Sequence, residues 1–105
     1  EFRRVLFRSA DVIIDARIAG ARVAVLHGGR ESAHREFAAG SGTTLTLLAL
    51  HGWAEGVHAR GVRYPLDAEV LEPGSTRGVS NIIDAATAVV SVATGTLLAV
   101  QTGEE

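Results

Sequence analysis

The side chains best equipped for chemistry lie together in one stretch. Gly74-Ser75-Thr76-Arg77-Gly78-Val79-Ser80-Asn81 brings hydroxyls, an amide, a guanidinium and two glycines directly after Glu72-Pro73. A strand-to-strand connection needs roughly two to five residues, and the stretch from Pro73 to Ala85 is far longer. So much hydrogen-bonding capacity in one loop could serve a ligand. The same groups can also be consumed by Asx and Ser turns that merely hold a surface loop. Tyr64, the one tyrosine, precedes this loop in Gly61-Val62-Arg63-Tyr64-Pro65-Leu66.

No other constellation competes with this loop. His27, His34, His51 and His58 form no helical i, i+4 pair, and the chain has no cysteine to complete a zinc site. His51 and His58 could face each other across a hairpin, but exposed histidines are the plainer reading. Gly40-Ser41-Gly42-Thr43-Thr44 has the composition of a phosphate loop without its lysine or its helix, and reads as a turn. Ser80 is not in a nucleophile elbow, because residue 82 is isoleucine. Glu55, Asp67 and Glu69 are scattered acids with no shared acid–base task. The sequence holds no self-contained catalytic machinery.

The elements that must position the loop are strands. The 105 residues are the length of one domain, and 47% of them are hydrophobic. The formal net charge of -2 gives no basic surface for nucleic acid. No apolar run reaches the roughly 20 residues of a membrane helix, and no signal peptide is visible. The absence of cysteine fits a reducing compartment.

Strands are expected over Asp11 to Ile18, Arg22 to Leu26 and Thr43 to Leu50. In the last of these, Thr44 and Thr46 alternate with Leu45 and Leu47. Gly28-Gly29 suits a tight hairpin leading to a return strand over Glu31 to Phe37, although residues 31–39 also have helical propensity. Trp53 to Val62 and Arg63 to Val70 read as two further strands, with Pro65 marking an edge or a break. Trp53 is expected in core or edge packing. Ala86 to Val92 and Thr96 to Val100 are expected to pair about a turn at Thr94-Gly95. Turns recur about every ten residues with no 3.6-residue period, the pattern of an all-β sandwich or barrel built of short antiparallel strands.

Two motifs in order carry a family resemblance. Gly61-Val62-Arg63-Tyr64-Pro65-Leu66, followed by Gly74-Ser75-Thr76-Arg77-Gly78-Val79-Ser80-Asn81, resembles the C-terminal vitamin B1-binding domain of thiamine pyrophosphokinases. Thr43 to Leu50 and the closing Ala88 to Val100 are similar to that domain's strands, so the likeness runs in order over most of residues 11–102. One departure stands out: Ile82-Ile83 replaces the family's usual glutamate and aromatic. Either that acid is dispensable, or Asp84 takes its work, or this branch has drifted in substrate.

The resemblance implies a jelly-roll-like β-sandwich. It implies an enzyme that transfers pyrophosphate from ATP to thiamine, giving thiamine diphosphate and AMP, in a cytoplasmic homodimer. Mg²⁺ and ATP would be bound by an N-terminal α/β half that this chain lacks, leaving no cofactor here and a chain that is inactive alone. Ser80 and Asn81 would hydrogen-bond the aminopyrimidine, Gly78 would let the backbone come close, and Tyr64 would wall the ring. Residues 20–102 would form the thiamine-binding domain, 10–19 the end of or linker from the catalytic half, and 103–105 a tail. Residues 1–9 resemble a translated sequencing adapter and are expected to be non-native. The competing reading is a non-catalytic β-sandwich acting as a binding or structural module.

Overall fold

The computed structural model describes residues 5–8, 11–18, 20–38, 43–73 and 79–103. Apart from one 3₁₀ turn, Glu31–Ala33, the secondary structure described is all β. The strands are β1 (Val5–Arg8), β2 (Asp11–Ile18), β3 (Ala21–His27), β4 (His34–Ala38), β5 (Thr44–Arg60), β6 (Leu66–Leu71), β7 (Val79–Ile82), β8 (Thr87–Ser91) and β9 (Thr94–Thr102). They pair antiparallel in the order β1-β2-β3-β9-β5-β8-β4, with β6 and β7 also paired to β5. The all-β expectation holds, and the sheet curls into a half-barrel about one core.

The strand that makes this curl is β5, and it is not short. Thr43 to Leu50 and Trp53 to Val62 were expected as separate strands, but β5 runs 17 residues through both. Its buried positions are Leu45, Leu47 and Ala49, then Ala54, then Val57 and Ala59. Strict alternation would keep one parity throughout. It breaks where His51 (φ 67) and Gly56 (φ 65) adopt left-handed backbone. Each break re-aims the strand, as bulges do. The first half of β5 lies between β9 and β7, and the second half between β6 and β8. His51 and His58 therefore share one strand and do not face each other across a hairpin.

Two expected hairpins are absent. β8 and β9 flank β5 instead of pairing with each other. The chain crosses between them at Ala93, whose N–H donates to the carbonyls of Glu55 (3.0 Å) and Gly56 (3.2 Å). Likewise β4 does not return along β3. It pairs with β8, with Phe37 opposite Ala88, while β3 pairs with β2 and β9. β6 follows Pro65 and, among the described strands, pairs with β5 alone, as an edge strand should. Trp53 is 53% exposed, so it is not a core residue.

The free side of β4 is tied by side chains instead of a backbone ladder. Arg22 on β3 donates from Nη1 to the Glu36 carbonyl (2.9 Å), and its guanidinium lies 4.6 Å from the Phe37 ring centroid. It also grips Asp15 on β2 through Nε (3.1 Å) and Nη2 (2.9 Å). Arg35 on β4 reaches the same carboxylate from Nη2 (2.9 Å). Partial burial alone would raise the Asp15 carboxyl, but the hydrogen bond and charge of Arg22, and then those of Arg35, outweigh it and hold it below its ordinary value. A depressed carboxyl stabilises the fold above its unfolded value, and that contribution is lost as the pH falls through the folded one. Asp15→Asn is expected to lower stability near neutral pH by about 1 kcal/mol, the scale of a partly exposed ion pair. Its thermal melts should also lose less stability in acid than the wild type. Identical acid sensitivity in both proteins would remove Asp15 from this seam.

Outside the core, β3, β9 and β5 carry a second apolar face. Val23, Val100 and Thr46 lie in one cross-strand row, and Val25, Leu98 and Leu48 in the next, all half-buried. Strands apolar on both faces expect a cover on each.

Candidate functional site

The site begins with two buried anchors, Val62 and Ile83, which form an antiparallel bridge. On either side of them the main chain is laddered. Asp84 N–H donates to the Gly61 carbonyl (3.0 Å) and Arg63 N–H to the Ile82 carbonyl (2.8 Å). The Gly-Val-Arg-Tyr segment thus runs beside β7, so the first motif segment meets the described end of the second, residues 79–81.

The next rung is made by a side chain. Asn81 Oδ1 accepts from Tyr64 N–H (2.9 Å) and from Ile82 N–H (3.1 Å), and Asn81 Nδ2 donates to the Tyr64 carbonyl (2.6 Å). Asn81 is only 3% exposed and stands opposite buried Leu45. Tyr64 itself is 63% exposed. Its backbone is fastened while its ring faces solvent. Pro65 follows it, which disfavours helical backbone at Tyr64.

Ser80 points the other way from Asn81, as neighbours on a strand must. It is exposed, opposite Thr46 in register, with its Oγ 3.3 Å from Thr46 Oγ1. Either hydroxyl can donate in that pair, so one proton and further lone pairs remain for a ligand. Ile82, in the position where the resembled family carries an acid, is half-buried opposite Thr44, and Ile83 fills the core. Asp84, the nearest acid, is exposed.

Of the four residues expected in the site, Tyr64 and Asn81 are joined directly. Ser80 is adjacent but on the opposite face of β7, and Gly78 lies outside the described residues. The residue that sequence reasoning missed is Thr46. Its outward position was legible from alternation, but its pairing with β7 was not. Among the described residues no group of three or more His, Asp or Glu could hold a metal ion. No helix among them is long and apolar enough to cross a membrane.

This arrangement has relatives. The family described as "Thiamin pyrophosphokinase, vitamin B1 binding domain" matches residues 33–97. That span includes both motif segments and strands β4 to β8. No curated protein matches the chain. Among solved structures, thiamine pyrophosphokinase from Bacillus subtilis superimposes with a TM-score of 0.73 at 15% identity, covering 89% of this chain and 42% of that one. The enzyme of the same name from Geobacillus thermodenitrificans gives 0.66 at 16%, covering 81% and 38%. A thiamin pyrophosphokinase family protein from Enterococcus faecalis gives 0.56 at 13%, covering 82% and 38%. At these identities the likeness is one of fold, and the chain spans about two-fifths of each structure's length. The family match, by contrast, covers more than half of the chain and takes in the segments that build the Tyr64–Asn81 rung, so this chain belongs to the thiamin pyrophosphokinase vitamin B1-binding domain family.

Proposed function

We propose that this chain is the thiamine-binding and dimerisation part of a cytoplasmic thiamine pyrophosphokinase. In the reaction the thiamine hydroxyl oxygen bonds to the β-phosphorus of ATP as the α–β linkage breaks, releasing AMP. The observation that carries the reading is an exposed aromatic ring on a fastened backbone, beside β7 with its exposed Ser80–Thr46 hydroxyl pair. Such a ring offers a wall to the aminopyrimidine, and the hydroxyls offer a donor and acceptors for its edge. The described residues provide no carboxylate cluster that fits Mg²⁺. The reading assigns Mg²⁺ and ATP to an α/β catalytic half, and this chain alone is expected to be inactive. Residues 20–102 constitute the thiamine domain and 10–19 the approach from the catalytic half. In that approach β2 is already hydrogen-bonded to β3. The second apolar face on β3, β9 and β5 supports a homodimer built through this domain.

The test is steady-state kinetics of the intact enzyme carrying this chain. Tyr64→Ala is expected to raise the KM for thiamine roughly tenfold or more, the scale of losing one ring-stacking partner. Ser80→Ala should raise it severalfold, the scale of one hydrogen bond. The KM for ATP should hardly move, and the enzyme should sediment as a dimer. Unchanged thiamine KM in both variants would sink the site assignment.

A further inference from the structure

We infer that Asn81 is a positioning residue: it fixes the main chain of Tyr64, and through it the ring, without touching the ligand itself. This rests on the reading of Tyr64 as the wall of the thiamine site. The atoms of Asn81 are already committed. Its Oδ1 has two lone pairs, and both are taken, by Tyr64 N–H and Ile82 N–H. Its Nδ2 gives a short bond to the Tyr64 carbonyl, and the residue is almost wholly buried. Its acceptor and one of its two donors are spent on the protein, and with 3% of the residue exposed the remaining N–H has little access to a pyrimidine.

The arrangement suits an asparagine in particular. A primary amide presents a donor and an acceptor side by side, as a backbone partner does, so it can bond both the N–H and the carbonyl of one residue. It extends the ladder begun by Asp84–Gly61 and Arg63–Ile82 by one rung. Tyr64 needs that rung. With 63% of the residue exposed, packing holds the ring only weakly, so the direction of its Cα–Cβ bond is set by the main chain. Asn81 fastens that main chain, and Pro65 restricts it from the other side. A ring set in place before the ligand arrives loses less freedom on binding.

A double-mutant cycle on thiamine affinity in the intact enzyme tests this. Asn81→Ala and Tyr64→Ala should each weaken binding roughly tenfold, and the double variant should bind within about twofold of Tyr64→Ala alone. Losses that multiply would mean Asn81 contacts thiamine directly, and would overturn the proposal. Amide exchange of Tyr64 reads the rung without any ligand. Asn81→Ala should speed it by about tenfold or more, the worth of one hydrogen bond to a buried acceptor. No change there would also overturn the proposal. If thiamine fails to bind the wild type while the exchange change is seen, the ligand assignment fails and the rung stands. Asn81→Leu serves if the alanine variant does not fold. It keeps the buried volume and removes both bonds to Tyr64, so it should weaken thiamine binding with the same lack of additivity toward Tyr64→Ala. In the wild type, proton cross-relaxation from bound thiamine should reach the Tyr64 ring and not the Asn81 amide.

Discussion

Phe37→Ala is expected to cost about 3–5 kcal/mol, the range for emptying a buried phenylalanine site. Phe37 is the largest fully buried side chain among the described residues. It sits on β4, whose only backbone partner among the described strands is β8, and it faces Ala88, which is too small to collapse into the space it leaves. The ring also forms the floor under the Arg22 guanidinium. Removing it strips a cation–π contact worth about 0.5–1 kcal/mol or more, from the same arginine that binds Asp15 and the Glu36 carbonyl. Cavity and seam therefore fail together. A domain of this size has roughly 5–15 kcal/mol in total, so the variant should lose much of its denaturation midpoint. Urea unfolding followed by Trp53 fluorescence measures it, and Phe37→Leu should recover more than half of the loss. Arg22→Ala should cost less in the Phe37→Ala background than in the wild type, because the two share one contact. A loss below about 1 kcal/mol in Phe37→Ala would mean that β4 is not sealed by this ring.

The sequence pattern carried strand identity well and strand partnership poorly. Leu45 and Leu47 alternating with Thr44 and Thr46 gave both the strand and its buried face, and all four sit as that pattern requires. Pro65 marked an edge or a break, and β6 starts only after it, with β5 as its partner among the described strands. A period of two says which face a residue takes but not which strand lies alongside. So the pairings β3–β9 and β4–β8, both distant in sequence, were replaced in expectation by neighbouring hairpins. The length of β5 was hidden because His51-Gly52 and Gly56 have the composition of turns. They are bulge points inside one strand, and the left-handed backbone of His51 and Gly56 could not be read from residue type alone.

The site was legible to a similar degree. Composition located a hydrogen-bonding loop, and the resemblance linked it to Tyr64. That Ser80 and Asn81 take opposite faces follows from their being neighbours on a strand, once β7 is known to extend that far. What composition could not reveal was that Asn81 spends its amide on Tyr64. Any Asn in a loop has the same donors and acceptors, and only the neighbouring backbone decides where they go.

Gly95→Ala is expected to be damaging for a reason no hydrophobicity scale registers. Gly95 lies near the start of β9 with φ at 95, a region that roughly 1–2 kcal/mol of strain denies to other residues. A Cβ there would stand 2.4 Å from the Trp53 carbonyl oxygen and 2.8 Å from the Ala54 Cα. Both obstacles are backbone atoms, and they belong to β5 where it passes from one flank of the half-barrel to the other. β5 is hydrogen-bonded to β6, β7, β8 and β9, so it cannot retreat without disturbing all four. The Gly95 carbonyl also accepts from Gly28 N–H (2.8 Å), which ties the end of β3 to the same point. Strain plus overpacking places the cost at about 3 kcal/mol or more. Gly20→Ala provides the comparison. Its φ is 85, yet nothing lies within 4 Å of the added carbon. It should cost only the conformational part, about 1–2 kcal/mol. Parallel melts of the two variants separate backbone strain from the close approach of β9 to β5. Equal losses would show that β5 can yield at Trp53-Ala54, and that the curl of the sheet is not fixed there.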